Sequence, residues 1–233
     1  MLTSAIEDFL AQGLERMGLS LDHQPEAISR LILYFQELKK WNRRINLVAR
    51  SLDDQQILEN HFLDSLTLLL LLPLETQEQE TILDVGTGAG FPGLVLKAAC
   101  PPLSITLVEP RKNRFYFLKH IIRTLDLHGI KVLDTRLGDK DETTGLSGRR
   151  FSFITSRAVT DMYGFVRLAA PFLETGGRIV LMKGPGAGNE LHAFALQDMH
   201  REFFVVETRK CNLPFTRGER LLISVRESGR KTS

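Results

Sequence analysis

The stretch Ile82–Gly93, "ILDVGTGAGFPG", constrains this chain more than any other. Apolar residues and one aspartate run into glycines at 86, 88, 90 and 93, with Pro92 before the last. Backbone this bare either turns sharply or lets something else lie against its amides. Open α/β sheets need both at the carboxyl ends of their strands, where ligands bind at the reversal of strand order. Thr81–Val85 reads as such a strand, Gly86–Gly90 as its loop, and a helix is expected from near Pro92.

Glu109 closes a second strand, 19 residues beyond Gly90. A carboxylate at that spacing takes the two hydroxyls of a ribose. Loop and acid together predict a bound nucleoside held over Gly86 and Gly88 by Glu109. The alternative, a glycine-rich corner with no ligand, leaves the matching acid unexplained.

Gly88, Gly90 and Gly93 also spell GxGxxG, the dinucleotide pattern, which is weak alone. Three features favour S-adenosylmethionine instead. Asp84 stands where a pyrophosphate would be repelled. The glycines at 86, 88 and 90 form a GxGxG run suited to a nucleoside carrying an amine and a carboxylate. The chain also ends in a strand pair, where a nicotinamide domain continues its parallel winding.

Around this motif the texture is uneven. Residues 1–75 show helical periodicity, with Ile28, Leu31, Ile32, Phe35 and Leu38 on one face of a helix opened by Pro25. A second helix is expected from Leu52 to Leu72, stopped by Pro73, and "ETQEQE" marks a boundary. From residue 76 to 233, "TILDVG", "SITLVEP", "IKVLDTR", "FSFITSR" and "GRIVLMKG" alternate with helical segments. That alternation predicts a mostly parallel, Rossmann-like α/β sheet. "EFFVVETRK" and "RLLISVR" are too close for a crossover and read as an antiparallel hairpin. Seven strands result.

An apolar fraction of 43% fills a core, and a net charge of +2 leaves attraction for a polyanion to local clusters. The two cysteines lack metal-ligand spacing, which points to a reducing compartment and away from zinc. No leader opens the chain, and the greasiest run, ten uncharged residues at 65–74, falls short of the roughly 20 a bilayer needs. A soluble, cytoplasmic protein without membrane contact is expected.

Together, "ILDVGTGAGFPG", "VEPRKNRFYFL", "SRAV", "LMKG", "WNRRINLVAR" and "HFLDSL" resemble the glucose-inhibited division protein B family, over about 28–225. The resemblance implies a class I methyltransferase fold, S-adenosylmethionine as cofactor, and N7 of a guanine in 16S ribosomal RNA as methyl acceptor. It places cofactor contacts on Gly86, Phe91, Leu137, Gly138 and Arg157. Leu137–Gly138 is the loosest match, because many members of that family carry Ala-Glu there and Gly138 has no carboxylate. Asp139 stands one position on as a substitute.

N7 of guanine carries a free lone pair, so no general base and no catalytic acid–base pair are expected. The enzyme's work is then positioning. Arg157 is read as holding the methionine carboxylate or the guanine, against a surface arginine. Phe91 packs on cofactor or covers the sheet. Lys183 reaches RNA phosphate or is merely solvated. His61 and Asp64 suggest a metal pair, but with no third ligand a helix–domain hydrogen bond is the better reading. Basic residues gather at Lys39, Lys40, Arg43, Arg44 and Arg50, at Arg111, Lys112, Arg114 and Lys119 with Phe115, Tyr116 and Phe117, and at Arg217 and Arg220. Such clusters bind RNA phosphate, and rings stack unpaired bases. The near-neutral total suggests weak binding to naked RNA and an assembled 30S subunit or precursor as substrate, met by a monomer. The N-terminal helices serve as a lid or RNA guide, or only cover one sheet face.

Overall fold

A computed structural model describes residues 2–72, 81–138, 143–157, 161–195 and 203–228. The apolar runs become β1 (Thr81–Val85), β2 (Ser104–Val108), β3 (Ile130–Leu133), β4 (Phe151–Arg157), β5 (Leu173–Lys183), β6 (Phe203–Asn212) and β7 (Glu219–Glu227). They form one sheet of order β3-β2-β1-β4-β5-β7-β6. β1 to β5 pair in parallel, and β7 runs antiparallel between β5 and β6. The two strands of the hairpin differ in composition, and this sets their places. Leu221, Leu222, Ile223 and Val225 of β7 are buried. Glu207, Arg209 and Lys210 of β6 are exposed, and charges suit an edge.

Two cores flank the sheet, divided by the alternation of the strands. Ile82, Ile105 and Phe153 join one, whereas Leu83, Val108 and Ile154 join the other. The first core is continuous with the N-terminal helices α1 (Thr3–Arg16) and α2 (Gln24–Asn42). Ile28, Leu31, Ile32, Phe35 and Leu38 are buried as the spacing predicts, with Ala27 and Tyr34 beside them. Beneath them lie α5 (Gly93–Ala99) and α6 (Lys112–Thr124). So residues before the boundary bury their apolar faces on helices of the sheet layer.

The expected helix over 52–72 is present but not uniform. A capping box between Asp53 and Gln56 starts α3 (Asp54–Ile57). A π-helical segment Leu58–Leu63, α4 (Asp64–Leu66) and a 3-10 turn Thr67–Leu70 follow without a break. Where the ladder widens, the Asn60 carbonyl accepts a bond from Arg157 of β4 at 3.1 Å. Single π-turns of this kind are common at functional sites. Pro73, the expected stop, lies outside the described residues.

On the other face are α7 (Thr143–Leu146), α8 (Met162–Ala169) and α9 (Gly188–Ala195). No helix among the described residues is long and apolar enough to cross a membrane.

Candidate functional site

Strand order reverses between β1 and β4, so the crevice beyond their carboxyl ends is the switch point of the sheet. The two tips are stapled there, Ser156 Oγ donating to the Val85 carbonyl at 2.7 Å. The amides of Gly86 and Thr87 bond the Val108 carbonyl of β2 at 2.9 and 3.2 Å, which fixes the start of the loop.

The four glycines of the motif divide into two pairs. Gly86 and Gly88 have φ of +71° and +63°, and a Cβ at Gly86 would meet nothing within 4 Å. At Gly88 it would meet only the Arg114 guanidinium, at 3.4 Å. Those two leave open space. A Cβ on Gly90 would stand 2.3 Å from the Tyr34 hydroxyl, and one on Gly93 2.6 Å from Leu107. Those two make room for the protein itself.

Asp84 belongs to the second group. Its Oδ2 accepts from the Gly93 amide at 2.8 Å and it is fully buried, which pushes its carboxyl up to about 6. The charge expected to repel a pyrophosphate is thus turned onto the start of α5, a correction to that part of the sequence reading. Glu109 is also buried. Its Oε2 accepts from the Gly88 amide and its Oε1 from the Arg111 amide, each at 2.9 Å. The carboxylate therefore holds the open part of the loop against the start of α6, and each oxygen keeps a further lone pair.

Phe91 is buried in a group of rings. His61 stacks on it at 4.9 Å and 18°, and Phe62 meets it edge-on at 5.5 Å. Tyr34 lies 6.1 Å away and donates its hydroxyl to the Ala89 carbonyl. The Arg157 guanidinium stands 5.3 Å over the Phe91 ring. Arg157 is not a surface arginine. Its Nη1 donates to Asn60 and to Asp64 at 3.1 and 3.3 Å, and its Nη2 to His61 Nδ1 at 2.8 Å. Asp64 also accepts from Arg220 Nε at 2.7 Å. Glu59 accepts from the amides of Phe215 and Thr216 at 2.7 and 2.8 Å. His61 and Asp64 thus link helix to sheet, as favoured over a metal pair. Burial first, then Arg157 and Arg220, push the imidazole of His61 down to about 3. Burial likewise raises Asp64, against the two arginines.

Leu137 is buried in the second core, and Gly138 has φ of +102°. A Cβ there would come within 2.7 Å of Leu168, so this turn favours glycine. Asp139, the suggested substitute, lies outside the described residues, as do Ala158 and Val159 of "SRAV". Lys183 requires a correction. Rather than reaching outward, its side chain is 6% exposed and pairs with Glu190.

Two of the three basic clusters meet. Arg114 Nη2 bonds the Asn46 carbonyl at 3.5 Å, and a groove of about 440 Å³ runs between Ile45–Asn46 and Arg111–Arg114. Arg43, Arg44, Arg50 and Arg111 are exposed, whereas Lys39, Lys40 and Lys112 pair with Asp54, Glu37 and Asp134. The third cluster lies elsewhere: Arg220 bonds Asp64 beside Arg157, and Phe215 of the same turn stacks on Phe9 of α1 at 4.1 Å. Of the interleaved rings Phe117 is core, and Tyr116 is 58% exposed.

Reading the chain alone missed Tyr34, Glu59 and Asn60. Tyr34 was legible in principle, three residues past Leu31 and four before Leu38 on the buried face of α2. The roles of Glu59 and the Asn60 carbonyl carry no sequence signal, because they depend on the π-turn.

A family model described as GidB, rRNA small subunit methyltransferase G, matches residues 27–221. The ribosomal RNA small subunit methyltransferase G of Desulfotalea psychrophila is 42% identical over 221 residues, 93% of this chain and 96% of that protein. That of Myxococcus xanthus is 38% identical over 221 residues, 94% of this chain and 96% of that protein. Solved structures show the fold alone. A precorrin-6y C5,15-methyltransferase from Geobacter metallireducens superposes with a TM-score of 0.54 at 13% identity, over 80% of this chain and 96% of that one. A ribosomal protein L11 methylase from Lactobacillus delbrueckii gives 0.51 at 11%, over 72% and 79%. The tied glycine loop, the acid behind it and these full-length matches lead to one assignment: the chain belongs to the GidB family, the rRNA small subunit methyltransferases G.

Proposed function

We infer that this chain transfers a methyl group from S-adenosylmethionine to N7 of a guanine in 16S ribosomal RNA. The observation that carries the reading is the open side of Gly86 and Gly88 beside the Glu109 carboxylate, at the switch point of a GidB-family sheet. The residues present fit an adenosyl group. Two glycines leave a cradle bordered only by the Arg114 guanidinium, and an acid with spare lone pairs stands where a ribose diol needs an acceptor.

Gly86, Gly88, Phe91, Glu109, Leu137, Gly138 and Arg157 would hold the cofactor, the first four from β1 and β2 and the last from the tip of β4. When bound, the cofactor supplies an electrophilic methyl group on a sulfonium. No residue of this chain needs to remove a proton, because guanine N7 attacks with a free lone pair. Around the loop, Asp84 is buried against α5 and Glu109 already bonds two amides, in keeping with positioning work. Effective molarity from orientation alone can be large.

The exposed arginines of 43–50 and Arg111 form the phosphate-binding rim, joined to the glycine loop through Arg114, which bonds Asn46 and lies against Gly88. The guanine is presented from an unpaired site or flipped out of its stack. Residues 1–75 act as the RNA guide and 76–233 as the methyltransferase domain. With a net charge of only +2, a monomer acting in the cytoplasm on the 30S subunit or its precursor is the reading we favour over naked RNA. Incubation with methyl-labelled S-adenosylmethionine tests this: label enters 16S RNA of undermodified subunits faster than free RNA. Equal rates on a short free RNA contradict the particle requirement, and label on a small metabolite alone contradicts the RNA reading.

A further inference from the structure

We propose that His61 is a cofactor-binding residue of this site, its Nε2–H donating a hydrogen bond to the carboxylate of the methionyl group. The proposal rests on the placement of the adenosyl group at Gly86–Glu109 and extends the site onto the N-terminal helices.

Four observations converge on it. First, the tautomer is fixed. Arg157 can only donate, so at 2.8 Å the Nδ1 of His61 must present its lone pair. The imidazole is neutral, its affinity for protons pushed down to about 3, and its one proton therefore sits on Nε2. Second, that Nε2 is a buried polar atom with no partner. Its neighbours in the cluster, Arg157, Asp64 and Arg220, are all bonded. A buried donor without an acceptor is costly, so this atom calls for a partner that the protein itself does not supply.

Third, the position follows from the sheet. With the ribose at Glu109 beyond β2, the remainder of the cofactor extends across β1 towards β4, whose last residue is Arg157. His61 lies against both, stacked on Phe91 of the glycine loop and bonded to Arg157. Fourth, the local field selects an anion. The charges that act on His61 are two guanidiniums, Arg157 and Arg220, which share the single Asp64 carboxylate, so the cluster keeps an excess of positive charge. A guanine that becomes cationic on methylation is disfavoured there, whereas a carboxylate is attracted. The π-turn Leu58–Leu63 has a role in this reading, since it frees the Asn60 carbonyl for Arg157 and carries His61 to the same place.

Calorimetric titration of the full chain, without RNA, separates the possibilities. The ligands are S-adenosylmethionine and decarboxylated S-adenosylmethionine, which differ by the carboxylate alone. In His61→Phe, which keeps the ring on Phe91, affinity for the first falls about tenfold and affinity for the second stays within about twofold, the scale of one hydrogen bond to a charged group. His61→Gln, which can accept from Arg157 and donate onward, recovers most of the loss. Equal losses for both ligands would show a structural role and overturn the proposal, as would no loss for either. Wild-type protein that binds neither ligand would overturn the placement of the cofactor itself.

Discussion

Glu109 Oε2 lies 2.9 Å from the Gly88 amide, so the acid we propose for the ribose is also the residue that holds the loop where we place the nucleoside. Its other oxygen bonds the Arg111 amide and fixes the start of α6, which carries Arg114 to the rim of the same loop. Loop shape therefore depends on one buried carboxylate, the same group that we propose as the cofactor's grip.

Glu109→Ala accordingly removes both functions. Affinity for S-adenosylmethionine should fall about 10- to 100-fold, the loss of one or two bonds to a charged acceptor. Glu109→Gln should lose nearly as much, because its amide turns a donor towards one of two N–H groups. Calorimetry with each variant, beside thermal unfolding to show that the fold persists, checks this.

The two pairs of glycines should respond differently to alanine. Gly86→Ala places its methyl in open space at φ +71°, so it costs about 1–2 kcal/mol of backbone strain but blocks the cradle. The protein should fold and fail to bind cofactor. Gly93→Ala drives its methyl to 2.6 Å from Leu107 and 2.8 Å from Asp84 Oδ2. Here stability should drop well beyond that of Gly86→Ala, as read by urea unfolding.

Two buried groups pull stability in opposite directions with pH. Asp84 is raised from 3.8 to about 6, so its contribution is full below 3.8 and is lost as pH rises through 6. His61 is lowered from 6.5 to about 3, so its contribution is full above 6.5 and is lost as pH falls towards 3. Between about pH 4 and 6 the two offset each other. In His61→Phe stability should decline relative to wild type as pH rises through that window, and in Asp84→Asn it should climb. Each slope changes by at most about 1.4 kcal/mol per pH unit. Urea unfolding from pH 4 to 7 measures them, and parallel profiles for all three proteins contradict the assignment.

The architecture was legible in the chain because strand and helix periods differ and the hairpin leaves no room for a crossover. The loop was legible because glycine marks a backbone requirement. Gly86 and Gly88 read as the ligand's, but the packing duty of Gly90 and Gly93 is not legible until Tyr34, Leu107 and Asp84 are placed. Arg157 was placed correctly at a strand tip, yet its partners Asn60 and Asp64 lie over 90 residues away in sequence. Lys183 was read as outward because its Glu190 partner sits on a helix whose approach no local pattern encodes.

The rim should show itself through salt. Arg44→Ala and Arg111→Ala each remove an exposed cation, so the slope of log affinity for RNA against log salt should shrink by about 0.7–0.9 for each phosphate left without its arginine. Lys183→Ala should leave the slope unchanged, its ammonium being buried beside Glu190. Filter binding across a salt series distinguishes them, and an altered slope for Lys183→Ala would reinstate it as an RNA-binding residue.

The most direct measurement is atomic. Small subunits from cells lacking this protein are treated with it and with methyl-labelled S-adenosylmethionine, and the 16S RNA is digested and its labelled nucleoside identified. The account predicts N7-methylguanosine at one position, formed by wild type and abolished in Glu109→Ala. Label on another atom or another base, or undiminished N7-methylguanosine from the Glu109→Ala protein, would contradict it.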